Sequence, residues 1–429
     1  MQLGIDLTAS TVRLAVADGE QLRFTAEVQP QVGLVETLAA ARACLPPELD
    51  SAVTAVRIAI VPGKRDLQLT DVGVLRIAPR SMAALRPFAA WPGTAGASLR
   101  ARSAEVPGGS DFVGNHKLPA DPTQLCEAAS GLVAAGASRF VVSAAGAPSA
   151  PWLERTAAGV LRTELGLHVE VAHELGGTGV REREHAAALN LGLTSWAEAV
   201  VADARRAFPD SDLGFAHGMG GFGSAAEFVR QPLGVFHGVV RAAVLGVGRV
   251  TGHTDFILVS ARDDSTTLVG VTGGEPDRAD VEQLWGVTHN HLALDSVELP
   301  LGAGADPATS PLGRRMLARR PGYPVVAIGD AAASGAEPAG LSGVLQWAIA
   351  FGATQGRVTV LIERVLRRGL GTHAAAEQTL ALVEEAVTRA TLAGAAPSPE
   401  PRSSADVRPL AYVSDPVDTV RVRVSGAPA

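Results

Sequence analysis

Apolar positions recur along this chain in two rhythms, and the rhythms alternate. Residues 3–7 (LGIDL) read as a strand carrying one acid, Asp6. A hydroxyl-rich turn, TAST, and a second apolar run follow, which together predict a hairpin. Residues 33–45 repeat their apolar positions at helical spacing, and residues 55–61 form an apolar run stopped by Pro62 and Gly63. Residues 72–77 predict another strand. Residues 79–120, rich in Pro, Gly and Ala with little period, predict an elaborated loop region or a small sheet. From Pro122 the pattern reads helix, strand (140–143) and helix (152–165, ended by Gly166), a βαβ rhythm. Two helices are expected over 178–190 and 195–208, then strands at 213–216, 256–260 and 268–271, the last two forming a second hairpin. Residues 325–328 predict a strand, 340–367 mostly helix, 374–393 an amphipathic helix and 417–424 a closing strand. The fold class is α/β, with a strand-turn-strand unit in each half.

Composition narrows the class. At 429 residues, 47% hydrophobic and 19% charged, the chain outgrows one core and is expected to form two or three packed domains. The net charge is -7 and the basic residues are almost all Arg, Lys occurring only at positions 64 and 117, without an aromatic-interleaved basic stripe. Nucleic acid is therefore not an expected partner. No uninterrupted apolar stretch approaches the ~18 residues of a bilayer span, so no membrane partner is expected either. Two cysteines, Cys44 and Cys126, fit a reducing compartment, and the expected location is cytoplasmic.

The hairpin turns hold the candidate chemistry. A phosphate-binding hairpin needs bare backbone amides, which glycine supplies. Here Thr8, Ala9 and Ser10 fill the first turn, where only the hydroxyls of Thr8, Ser10 and Thr11 could donate, and Asp6 is the one acid of the strand that leads into it. The second turn reads Arg262-Asp263-Asp264. Two adjacent acids repel phosphate unless a metal sits between them, whereas Arg262 could hold an anion bidentately. His289 with His291, and His173 with Glu182 and His185, have metal-like spacings but no completing ligand, so no metal site is expected. GMGGFG, at 218–223, lacks the strand-helix context of a dinucleotide fingerprint.

The stretch ELGLHVEVAHELGGTGVREREHAAALN contains His173, Glu174, Gly177, Glu182, Arg183, Glu184 and Asn190. With VGVLRIAPRS, Trp91-Pro92, GGSDFVGNHKLPAD and VRPLAYVSDPVDTVRVRV, it resembles the A-type subunits of the hydantoinase/oxoprolinase family, which has relatives in acetone and acetophenone carboxylases. The resemblance implies an actin-like ATPase fold (acetate and sugar kinase, Hsp70, actin) of two lobes, each with a hairpin and a mixed sheet. The expected division is 1–175 for the N-terminal lobe, 176–394 for the second and 395–429 for a Pro/Ser-rich tail with a closing strand. It also implies ATP with Mg²⁺, opening of a cyclic amide (hydantoin, 5-oxoproline or a lactam-like ring), and a B-type partner subunit.

The family's phosphate loops are altered in this sequence. Its first loop, Asp-Ile-Gly-Gly-Thr, has become Asp6-Leu7-Thr8-Ala9-Ser10, and its second, Asp-Val-Gly-Gly-Thr-Thr-Thr-Asp, matches residues 260–267, including Arg262, Asp263 and Asp264. Its glycine-rich loop matches residues 299–305, keeping Gly302 and Gly304, and its adenosine-side triple glycine keeps Gly329. Asp6, Thr8, Ser10, Thr11, Arg262, Asp263, Asp264, Gly302, Gly304 and Gly329 thus mark a vestigial or weak nucleotide site. The expected function is that of a divergent, nucleotide-deficient paralogue without cofactor, a structural or regulatory subunit for a B-type subunit or an intact family member, with self-association open. The alternative is an ATP- and Mg²⁺-dependent hydrolase of a cyclic amide working with a B-type subunit.

Overall fold

The computed structural model describes residues 1–79, 81–262, 265–300, 310–329, 342–367, 371–397, 402–410 and 416–429. The first hairpin, Gln2–Leu7 with Val12–Asp18, lies toward one edge of a mixed sheet. Nine strands order across it as Arg402–Pro409, Val417–Gly426, Arg357–Arg367, Gly221–Ser224, Asp212–Phe215, Ala55–Ala59, Gln2–Leu7, Val12–Asp18 and Gln21–Val28. Both faces of Gln2–Leu7 are covered, so Leu3, Ile5 and Leu7 and their neighbour Gly4 are all buried, as expected of a central strand. The second hairpin, Phe256–Arg262 with Ser265–Thr272, centres a smaller mixed sheet with Val325–Gly329 parallel on one side and Ser296–Pro300 antiparallel on the other. A third sheet is fully parallel and runs Ser103–Val106, Val72–Ile77, Arg139–Ala144, His168–Val171.

Several expectations give way here. Residues 79–120 contain the helix Gly93–Ala101 and the strand Ser103–Val106, because the small residues of this stretch let a short helix lie against the parallel sheet. The two helices expected between 178 and 208 are one, Val180–Ala207. Gly192 does not break it. A methyl there would meet Leu67 Cδ1 at 2.7 Å and the Gln68 carbonyl oxygen at 3.1 Å, and the Gln68 amide donates to the Gly192 carbonyl at 2.8 Å. Glycine serves close approach of a crossing chain at this point. The helix joins two cores: Ala186–Leu189 pack with Val72, Val74 and Val141, and Ala197, Val200, Val201 and Ala204 pack beneath the large sheet.

The expected helix over 340–367 is overturned over its last third. Ala348–Thr354 is helical, but Arg357–Arg367 (RVTVLIERVLR) is an eleven-residue strand. Its β-branched residues favour the pleated surface, and it gains a long antiparallel partner in Val417–Gly426. Helix Val235–Thr251 packs backbone-close against Ala348–Thr354 through glycines: a methyl on Gly246 would lie 1.9 Å from the Ala348 carbonyl oxygen. The apolar stretch Pro232–Thr251 is long enough to cross a membrane by length and composition, and 67% of it is buried in this core.

Candidate functional site

The two hairpins meet. Arg262, the last residue of its strand, reaches across to Asp6, with which its Nη1 forms an ion pair, and its Nη2 donates to the Leu7 carbonyl at 2.7 Å. The Asp6 side chain is 3% exposed and that of Arg262 13%, so the charge of the lone acid is met inside the protein by a guanidinium. Arg13, the cross-strand partner of Asp6, lies 3.4 Å from Glu27 through Nε and within 3.8 Å of the Cβ position of Gly329. Gly329 ends its strand opposite Ala261 with φ +64°, and an added methyl would press the Ala261 carbonyl oxygen at 2.8 Å.

The structure thus brings Asp6 and Arg262 together and sets Gly329 beside Ala261, the residue before Arg262. The hydroxyls behave differently from expectation. Thr8 Oγ1 donates to the Thr11 carbonyl at 2.8 Å and accepts from the Thr11 amide at 3.0 Å, and Ser10 Oγ lies 3.4 Å from Thr8 Oγ1. The Thr8 hydroxyl is spent on holding its own turn, a local side-chain to backbone closure. Asp263, Asp264, Gly302 and Gly304 lie outside the described residues.

A strongly charged cavity lies elsewhere. A cavity of about 530 Å³ opens beneath the end of the large sheet, and the stretch with the strongest family resemblance lines it through His173, Glu174, Gly177 and Glu182. The rest of that stretch props the wall. Arg76 donates through Nε and Nη2 to Glu184 at 2.8 and 2.6 Å, and Ser143 Oγ donates to the same carboxylate at 2.7 Å. Arg183, fully buried, donates to the carbonyls of Ala144, Gly177 and Thr178, and burial lowers its pKa against the pull of Glu154 and Glu184. Asn190 donates to Glu170 and to the Arg230 carbonyl and accepts from the Leu233 amide at 3.2 Å, bridging two backbone segments.

The histidines here are structural in part. His173 Nδ1 lies 2.8 Å from Glu154; burial pushes that carboxyl upward, but the His173 contact and the Arg183 charge hold it below its ordinary value. His291 Nδ1 donates to the Leu175 carbonyl at 2.7 Å, and burial, with His237 and His289 nearby, pushes its pKa well down. His289 ends the strand Val287–His289, and His291 lies beyond it rather than on one strand face with it. Both His237 and His289 approach Glu282 Oε1, at 3.0 and 3.3 Å. Among the described residues, no three His, Cys, Asp or Glu side chains gather in a metal-holding group.

The arginines of the cavity went unread in the sequence. Arg364 and Arg389 share Glu385, Arg389 also meets Glu174, and Arg421 pairs with Glu363. Arg278 and Arg408 complete the basic side of the wall. The available signal was period two in the closing strand, where Arg421 and Arg423 alternate with Val420, Val422 and Val424.

No family model matches the chain, and no curated protein matches its sequence. Solved structures do match. The nucleotide-free acetone carboxylase from a study of ATP-dependent acetone carboxylation superposes with TM-score 0.65 at 13% identity, over 99% of this chain and 88% of that one. The ATP-dependent caprolactamase of Pseudomonas jessenii gives TM-score 0.68 at 14% identity, over 99% and 87%. The fold is the actin-like ATPase fold. Superposition at these TM-scores fixes the architecture of this actin-like chain, and identity this low leaves the chemistry to be read from the side chains themselves.

Proposed function

We propose that this chain is a nucleotide-independent relative of the hydantoinase/oxoprolinase A-type subunits, acting as a structural or regulatory subunit beside a B-type subunit or an intact family member. The observation that carries this reading is the Asp6–Arg262 ion pair. An ATPase cleft meets the triphosphate with a metal ion, bare amides and hydroxyls. Here an internal guanidinium neutralises the acid that would serve the metal, the first turn carries side chains in place of glycines, and the Thr8 hydroxyl is bonded within that turn. Phosphate entering this cleft would have to displace a buried, hydrogen-bonded ion pair.

A second reading has one observation in its favour: both structural neighbours are named as ATP-dependent. In that reading Arg262 swings away from Asp6 and becomes a phosphate ligand when Mg-ATP enters, and a cyclic amide or related substrate is opened with a B-type subunit. Calorimetric titration of Mg-ATP and Mg-ADP into the wild type and Asp6→Ala separates the two. The expected result is no binding up to millimolar nucleotide in either protein. Micromolar binding in the wild type that Asp6→Ala abolishes would overturn the proposal in favour of the enzyme.

A further inference from the structure

Among the described residues, the guanidinium of Arg278 makes no hydrogen bond or ion pair, and its Nε is fully enclosed without a partner. Arg278 lies on the wall shared by the 530 Å³ cavity and an adjoining one of about 380 Å³. Arg408 and Arg421 line both cavities, and Arg423 lines the smaller. The acids nearby are already engaged. Glu363 is held by Arg421, Glu275 by Arg241 and Arg423, and Asp277 by Arg320, while Asp280 stands exposed at the rim. Burial lowers the pKa of Arg278, and Arg421, Arg408 and Arg423 press in the same direction with only Glu363 opposing. Arg408 is itself tied only to Asp406 on the surface.

Arg278 is half-buried, and a cation whose Nε is enclosed with no counter-ion beside it is costly. Where it faces a cavity of ligand size together with three further arginines, the missing charge is most economically supplied by something that binds. Met219 and Leu361 give the same wall an apolar element on which a carbon skeleton can rest.

We propose that Arg278, Arg408, Arg421 and Arg423 form a binding site for a small ligand bearing a compact oxyanion, a carboxylate or a phosphate, seated where the two cavities join. The planar, five-donor forks of arginine fit either group bidentately. The site shares no residue with the Asp6–Arg262 clasp, so it stands or falls separately from the nucleotide reading.

The test is thermal denaturation of the full chain with inorganic phosphate and with malonate, each against chloride at equal ionic strength, in the wild type, Arg278→Met and Arg408→Ala. The wild-type melting temperature is expected to rise with the logarithm of anion concentration beyond the chloride control. Phosphate alone giving the rise assigns a phosphate-bearing ligand, and malonate alone a carboxylate. Arg278→Met is expected to melt no lower than the wild type without anion, since it loses an uncompensated charge, and to lose the anion response. Arg408→Ala, a change on an exposed side chain that leaves the core intact, is expected to weaken binding about tenfold. A wild-type rise no larger than that in chloride, or a rise unchanged in Arg408→Ala and Arg278→Met, would overturn the proposal.

Discussion

Cutting the clasp between the hairpins should expose how much of this fold rests on it. Arg262→Ala leaves the Asp6 carboxylate, 3% exposed, without its cation, and also takes a donor from the Leu7 carbonyl. Removing one partner of a buried pair costs about 3–5 kcal/mol, most of it the penalty of the charge left behind. Asp6→Ala strands a guanidinium that is slightly more exposed and is expected to cost somewhat less. The double variant strands nothing, so its loss should fall well short of the sum of the two, with a coupling of about 2–3 kcal/mol. Urea denaturation of the four proteins, read at the first transition, measures the cycle. Millimolar Mg²⁺ should restabilise Arg262→Ala selectively, because a hard cation can take the place of the guanidinium beside the carboxylate, and should leave the double variant unmoved. Single-variant losses that add to within about 0.5 kcal/mol would show that Asp6 and Arg262 do not depend on each other, and the closed-cleft argument would fail with them.

Other consequences are open to direct measurement. Burial pushes folded His289 down to about 4 from 6.5, with Glu282 opposing, so its contribution to stability is complete above pH 6.5 and drains as pH falls toward 4. The denaturation midpoint should drop over that window, with His289→Gln flattening part of the drop; parallel wild-type and variant curves would contradict this. Glu170 runs the other way, since burial raises its pKa from 4.5 to about 7 and its contribution is lost as pH rises through 7. Glu170→Gln should therefore gain stability over the wild type at about pH 8, and equal midpoints there would count against it. Glu184→Ala strands buried Arg76 and should cost about 3–5 kcal/mol in chemical denaturation. Gly352→Ala would put a methyl 1.8 Å from the Ala242 carbonyl oxygen, so it should cost at least the ~1–3 kcal/mol usual for overpacking, and a neutral result in calorimetry would show that the two helices separate easily.

The hairpins were legible because each is a short, local pattern: an apolar run, a polar turn and a second apolar run pair without help from distant sequence. The βαβ segment was legible for the same reason, with Gly166 in the left-handed region closing its second helix as read. What failed needed distant partners. Arg357–Arg367 carries a strand-favouring run that reads as the continuation of the preceding helix, and it is fixed as a strand by its ladder with Val417–Gly426, some sixty positions later. The strand His168–Val171 is four residues long and passed unread beside its helix. The two helices expected over 178–208 are one because Gly192, between them, serves close approach of residues 67–69 rather than a turn.

The same division explains the site. That Asp6 and Arg262 lie in corresponding hairpins could be read from the sequence; that they satisfy each other could not, because the contact spans 256 positions and depends on how the two sheets are set together. Once seen, the pairing changes the meaning of the lost glycines. On the proposed reading, a turn that excludes phosphate would remove the anion that Arg262 could have served, and an Asp6 serving no Mg²⁺ would need a new counter-charge, so that each change is compensated by the other residue. Among the described residues, an unmatched positive charge has a different address, at Arg278, on a wall whose neighbouring arginines come from the strands Arg402–Pro409 and Val417–Gly426. If both proposals hold, the chain should bind small oxyanions through the cavity while ignoring Mg-ATP beside Asp6 and Arg262. Any nucleotide affinity that survives Asp6→Ala and disappears in Arg278→Met therefore belongs to the cavity, and affinity with the reverse dependence would return the ATPase cleft to use.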